Sequence, residues 1–269
     1  MKLLLVGYGY LGQALARVFR EGGWELVLVS LEGGGGTTMA CDVGDRSAVN
    51  RLPDADFIVH CAASGRGGAA AYQHVYVEGC RNLAARFPGV PLCFTSSTSV
   101  YGQTDGSVVT EESPAMPERE TGRLLLEAEG IVLGTGGLVV RLAGIYGPGR
   151  SVILQKFLSG AAVMEDDGRR FLNQIHRDDA ARAIYHLATS GVRGSLFNGS
   201  DSQPLTQRAC YEALSEMFSR PLPPSGPRDL TRKRGWTHKQ VSNKSLRATG
   251  WQPEFPTFLD AVVGIAGSW

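Results

Sequence analysis

The chain has 269 residues, 43% of them hydrophobic, enough to bury a substantial core in one or two domains. Lys plus Arg number 27 against 26 Asp plus Glu, a net charge of +1, so no global field recruits nucleic acid or a membrane surface. The five cysteines (Cys41, Cys61, Cys80, Cys93, Cys210) show no metal-ligand spacing, and nothing approaches the ~20 consecutive apolar residues of a transmembrane helix. The apolar start is too short for a signal-peptide core, so the expectation is a cytoplasmic protein with reduced thiols and no metal.

Residues 3–6 form a short apolar run followed at once by Gly7-Tyr8-Gly9-Tyr10-Leu11-Gly12. Residues 13–19 then repeat apolar side chains at helical spacing. This strand–glycine turn–helix order is the dinucleotide-binding fingerprint. Gly7 allows the tight turn, Gly9 lets the backbone approach a pyrophosphate, and Gly12 lets the helix lie close to the strand. The pyrophosphate would sit over Tyr10, Leu11 and Gly12, on the free N–H groups of the helix start. A bland turn is the alternative, since the chain holds 35 glycines.

Strand and helix signals alternate from there. Residues 24–29, 38–41 and 57–62 read as strands. A helix over 72–87 ends at Pro88-Gly89, and a buried strand follows at 92–95. A helix over 120–133 and a strand over 138–142 complete a pattern of apolar strands separated by helices. The fold class is therefore α/β, a Rossmann-type doubly wound parallel sheet in which ligands bind at the carboxyl ends of the strands. After Gly147-Pro148-Gly149 the pattern changes, with helices over 152–158, 178–189 and 204–218, a strand over 195–198, and a proline-broken tail. The expected division is a dinucleotide-binding domain over 1–150 with 172–200 interleaved, and a substrate lobe over 151–171 and 201–269.

The second strand ends at Ser30, where such folds usually place an acid for the adenosine ribose of NAD. Ser30 would not repel a 2′-phosphate, although no arginine stands beside it. Glu32 could serve an NAD ribose or lie in an exposed loop. The cofactor expected is NADP or NAD, with Ser30 favouring NADP. Asp42, in Cys41-Asp42-Val43, could accept from the adenine amino group or cap a turn.

With these residues in hand, the chain resembles an extended short-chain dehydrogenase/reductase of the NAD-dependent epimerase/dehydratase superfamily. The resemblance runs through the glycine turn, Asp42-Val43, His60-Cys61-Ala62-Ala63 and Thr95-Ser96-Ser97-Thr98-Ser99-Val100-Tyr101-Gly102. It continues through Arg141-Leu142-Ala143-Gly144-Ile145-Tyr146-Gly147-Pro148-Gly149 and Ile175-His176-Arg177-Asp178-Asp179. It implies that Val43, Cys61, Ala62 and Ala63 line the cofactor, and that Ser97 is the active-site hydroxyl bonding the substrate oxygen where charge develops. It also implies a Tyr-x-x-x-Lys pair on the next helix, which exchanges the proton and holds the nicotinamide ribose. Here Arg119-Glu120-Thr121-Gly122-Arg123 lies over that motif. Arg123 could still bind the ribose, but an arginine donates no proton at neutral pH. Tyr76 stands where relatives commonly carry asparagine, and the glycine turn is one residue shorter than usual.

Two functions from different classes stay open. One is an NAD(P)-dependent oxidoreductase or epimerase-like enzyme on a small polar hydroxyl or carbonyl substrate, its proton coming from Tyr76, Tyr101 or Tyr146. The other is an NAD(P)-binding regulatory or scaffold protein with a degenerate site. Arg141, in a strand, is expected to pair with a carboxylate, and Asp178 or Asp179 to cap a helix. The basic segment 228–234 is a candidate anion site or a solvated loop, and the near-neutral charge argues against nucleic acid. A homodimer is left open, since relatives often pair through helices such as those over 72–87 and 120–133.

Overall fold

The computed structural model describes residues 1–34, 38–65, 67–229 and 236–267. Its centre is a seven-stranded sheet. Five strands come first: β1 (Lys2–Val6), β2 (Glu25–Ser30), β3 (Met39–Ala40), β4 (Phe57–His60) and β5 (Leu92–Ser97). The strands Leu138–Leu142 and Ser195–Gly199 complete it, in the spatial order Ser195–Gly199, Leu138–Leu142, β5, β4, β1, β2, β3. This is the parallel, helix-flanked sheet that the alternating apolar runs imply.

Register brings the carboxyl ends into line. Val6 pairs with Val29 on one side and His60 on the other, and His60 pairs with Phe94. Leu3, Leu4 and Leu5 are fully buried, as a strand covered on both faces requires. Helix α1 (Tyr10–Glu21) lays Leu11, Ala14, Leu15 and Phe19 into the core, the i, i+3, i+4, i+8 set of one helix face. Phe19 meets Trp24 edge-on at 5.1 Å, and Trp24 meets Phe57 at 6.3 Å. Each such buried side chain contributes roughly 1.5–3 kcal/mol.

The helix expected over 72–87 differs from a regular α-helix. It runs as α over Ala69–Tyr72, as π over Gln73–Glu78 and as α again over Gly79–Arg86. Apolar spacing records which face is buried, not the extra residue that a π turn inserts. The helix Glu120–Gly134 packs against this segment and against β5.

The chain divides into two compact units. The first comprises 1–100, 116–141 and 181–197, and the second 101–115, 142–180 and 198–269. The second unit has its own apolar core, in which Tyr146, at the end of the strand Gly144–Tyr146, packs with Phe157, Tyr211 and Phe258 of the helices Val152–Leu158, Gln207–Phe218 and Phe258–Ala266. A capping box between Thr257 and Asp260 starts the last of these helices. Among the described residues, no helix is long and apolar enough to cross a membrane.

Candidate functional site at the carboxyl edge of the sheet

The glycine turn is fixed by its neighbours' backbones. Gly7 N–H donates to Val29 O at 2.8 Å, and Tyr8 N–H to the same oxygen at 3.1 Å. The Cys61 thiol donates to Gly7 O at 3.2 Å, and burial pushes that thiol up to about 12, so it remains protonated. Gly7 has φ +108°, and a Cβ there would stand 2.3 Å from Ala62 N. A Cβ on Gly12 would stand 2.1 Å from Gly7 O. Gly9 is different: a Cβ there would meet nothing within 4 Å, and no side chain caps the helix it begins. Close packing at Gly7 and Gly12 with open space at Gly9 is what a pyrophosphate lying over the helix start requires. Tyr10 is half-buried, and Leu11 and Gly12 are buried behind it.

On the β2 side, Ser30 is half-buried at the strand's last position, and its carbonyl accepts from Cys41 N–H. Glu32 is exposed. The Asp42 carboxylate accepts from Gly44 N–H at 3.0 Å and meets His74 Nε2 at 2.8 Å, so its present partners are a turn and a histidine. Val43 is buried, and its carbonyl accepts from Asn82. Asp45 caps the short helix Arg46–Val49.

At the ends of β4 and β5 the polar groups converge. His60 is fully buried, bonded through Nε2 to Val75 O at 2.9 Å, and burial lowers it to about 4. Ala62 is half-buried and Ala63 exposed, and Ser64 N–H donates to the Tyr76 hydroxyl at 3.1 Å. The Ser97 hydroxyl accepts from Ser99 N–H at 3.2 Å, which leaves its own hydrogen for another acceptor. The preceding residue points into the protein: Ser96 Oγ donates to Glu129 Oε1 at 2.5 Å, and Glu129 takes the Arg141 guanidinium at 2.6 Å. Arg141 thus has the carboxylate it was expected to need. Glu129 was missed in the sequence, although it falls on the buried Gly122-Leu125-Ala128-Val132 face of its helix, where a lone charge is the signal. Arg119 is the N-cap residue of that helix, and the exposed Arg123 donates to Glu118 O at 3.0 Å. The structure therefore brings Gly7, Gly9, Ala62, Ala63 and Ser97 to one edge, while Arg123 and Asp42 are engaged with their own neighbours.

Within the second unit, Tyr101 is buried and donates to Asn198 Oδ1 at 3.0 Å. Its carbonyl accepts from the buried Lys239 ammonium at 2.6 Å, and burial followed by Arg170 lowers that lysine to about 8. Tyr146 donates to Thr257 O at 3.4 Å; burial raises its phenol, with Asp201, Asp179 and Asp260 adding to the effect. Asp178 and Asp179 lie inside the first turn of the helix Arg177–Thr189, and the Asp179 carboxylate accepts from the Glu254 and Phe255 amides at 2.8 and 3.0 Å. Arg228, the start of the basic segment, pairs with Asp166 at 2.8 Å and lies over the Trp236 ring. Residues 230–234 of that segment lie outside the described residues.

A seven-stranded parallel sheet carrying a glycine turn, with polar groups gathered at its carboxyl edge, defines a Rossmann-like α/β protein. The chain belongs to the NAD dependent epimerase/dehydratase family, whose profile matches residues 3–198. It is 31% identical over 225 residues to Protein YeeZ of Escherichia coli strain K12, spanning 73% of this chain and 76% of that one. It is 32% identical over 146 residues to 2′-dehydrokanamycin reductase of Streptomyces kanamyceticus, spanning 48% of this chain and 42% of the other. Its fold is similar to that of human epimerase family protein SDR39U1 (isoform 2), solved with NADPH, at a TM-score of 0.83 and 21% identity over the whole of both chains.

Proposed function

We propose that this chain is an NAD(P)-dependent oxidoreductase, epimerase-like in architecture, acting on a small polar hydroxyl or carbonyl substrate. The observation that carries this reading is the open approach at Gly9 on the same sheet edge as the Ser97 hydroxyl. Gly7, Gly9, Tyr10, Leu11 and Gly12 would hold the pyrophosphate. Ser30, Asp42 and Val43 would face the adenosine half, with Ser30 tolerating a 2′-phosphate. Cys61, Ala62 and Ala63 would flank the nicotinamide half, and Arg123 would turn from Glu118 O to the ribose hydroxyls. Bound nicotinamide dinucleotide supplies or accepts a hydride. The Ser97 hydrogen, left over after Ser99 N–H is accepted, then meets the charge that develops on the substrate oxygen. The NADPH in the human neighbour and the reductase named among the relatives support the reading.

Calorimetric titration with NAD⁺, NADH, NADP⁺ and NADPH tests it. One redox pair should bind, and Arg123→Ala should weaken it about tenfold, the loss of one charge-assisted contact. Ser97→Ala should keep that binding and lower turnover about 100-fold on a hydroxyl compound found by screening with the bound pair. Absence of binding by all four dinucleotides would overturn the proposal. Binding without turnover of any screened compound would favour a cofactor-binding regulatory protein, to which the engaged Arg123 and Asp42 are suited.

A further inference from the structure

Reducing a carbonyl needs a proton as well as a hydride, and Arg119 and Arg123 at the start of their helix cannot supply one. Two of the candidate tyrosines have their phenolic hydrogens committed: Tyr101 donates to Asn198 Oδ1 and Tyr146 to Thr257 O. Tyr76 is placed differently. It lies in the π segment Gln73–Glu78 and accepts Ser64 N–H at 3.1 Å, which holds its oxygen against the loop that leaves β4. A phenol that accepts through its oxygen keeps its hydrogen for donation, and among the described residues no acceptor takes it.

Its position is over-determined. The Tyr76 ring meets Tyr72 edge-on at 4.9 Å, Phe94 at 5.8 Å and His60 at 6.4 Å. Phe94 precedes Ser97 by three residues on β5, and the Cys61-Ala62 backbone between His60 and Ser64 abuts Gly7. The phenol thus stands at the sheet edge that carries the glycine turn and Ser97. Of the titratable groups near it, His60 is kept neutral by burial, and on the same segment Glu78 is paired with Arg81 and His74 with Asp42. A π turn is a costly departure from the α-helix that clusters at functional sites, and here it carries the tyrosine.

We infer that Tyr76 is a catalytic residue, the acid that protonates the substrate oxygen; the inference rests on the NAD(P)-dependent reading above. As the hydride adds to the carbonyl carbon, the C=O π pair moves to the oxygen. Tyr76 Oη–H gives its proton to that pair and the new O–H bond forms. The phenolate left behind takes a proton from water, so one hydride and one proton are consumed for each alcohol made.

The test needs no substrate. 3-Fluorotyrosine placed at position 76 alone gives one fluorine resonance whose shift follows ionisation of that phenol. A second protein labelled at Tyr185, whose ring packs against Phe19 and whose hydroxyl abuts Gly22 beyond the far end of α1, is the control. Oxidised dinucleotide carries a positive nicotinamide ring, and a phenol touching it should ionise at lower pH by about 1 unit or more. The midpoint at position 76 is expected to fall with NADP⁺ or NAD⁺, whichever binds, to stay put with the reduced form, and to be unmoved at position 185 in both. If the oxidised form binds by calorimetry and the position-76 midpoint does not move, or moves equally with both forms, the Tyr76 assignment is overturned and the NAD(P) reading stands. If no dinucleotide binds, the underlying reading falls and the assignment with it.

Discussion

Gly7 and Gly9 lie two residues apart and obey opposite constraints. At Gly7 the left-handed φ and the Ala62 backbone 2.3 Å from a Cβ both exclude a side chain. Gly7→Ala should cost about 3 kcal/mol or more in chemical denaturation, since strain and overpacking add. At Gly9 the space is open, so Gly9→Ala should change the unfolding free energy by less than about 1 kcal/mol while weakening dinucleotide binding at least about tenfold. Equal losses of stability in the two variants would contradict this division. The glycine turn was legible in the sequence because its steric demand is written in the residue type itself. The present partners of Arg123 and Asp42 were not, because Glu118 O is a backbone atom and His74 lies 32 residues from Asp42.

Glu129 ties three elements together: its own helix, β5 through Ser96, and the strand Leu138–Leu142 through Arg141. Side chains alternate across a strand, so anchoring Ser96 on one face also fixes where Ser97 stands on the other. Glu129→Ala leaves the Arg141 guanidinium buried without its carboxylate and should destabilise by about 3–5 kcal/mol. A paired Glu129→Ala/Arg141→Leu protein should recover part of that loss in the same denaturation assay. If the single variant unfolds like the wild type, the pair does not hold these elements. That Arg141 needed a carboxylate could be read from its place in an apolar strand; which one it takes depends on helix–strand packing that no local pattern encodes. The π segment was hidden for a related reason, since the one-residue slip it makes, from buried Tyr72 to buried Val77, joins two stretches that each keep helical spacing.

Each unit buries a titrating group, and the two groups have opposite effects on stability. His60, in the first unit, has its ordinary 6.5 lowered to about 4, so the unfolded chain binds the proton first. Its contribution is fully present above pH 6.5 and is lost as pH falls towards 4, about 3 kcal/mol in all. Asp201, in the second unit, is raised well above 3.8, by burial first and then by the charges of Asp260 and Asp179. Holding that carboxyl protonated costs more as pH rises above the unfolded value. Amide hydrogen exchange followed by unit should show acid weakening of residues 1–100, flattened in His60→Leu. In the second unit Asp201→Asn should raise protection at pH 7 and raise it less at pH 4. The α/β layering was visible in the apolar runs; these buried titrating groups were not, because a lone histidine or aspartate looks the same in a sequence whether it faces water or a core.

The outermost strand of the sheet, Ser195–Gly199, enters the chain more than fifty residues after its neighbour Leu138–Leu142. During synthesis, Leu138–Leu142 therefore leaves the ribosome well before its last hydrogen-bonding partner exists. All five of its residues are buried in the finished protein, and until Ser195–Gly199 arrives they form a bare edge, apolar but for Arg141, able to pair with another chain. The last strand is thus a guard against aggregation as well as a part of the sheet, and a protein cut between them would be lost to self-association before its glycine turn could matter.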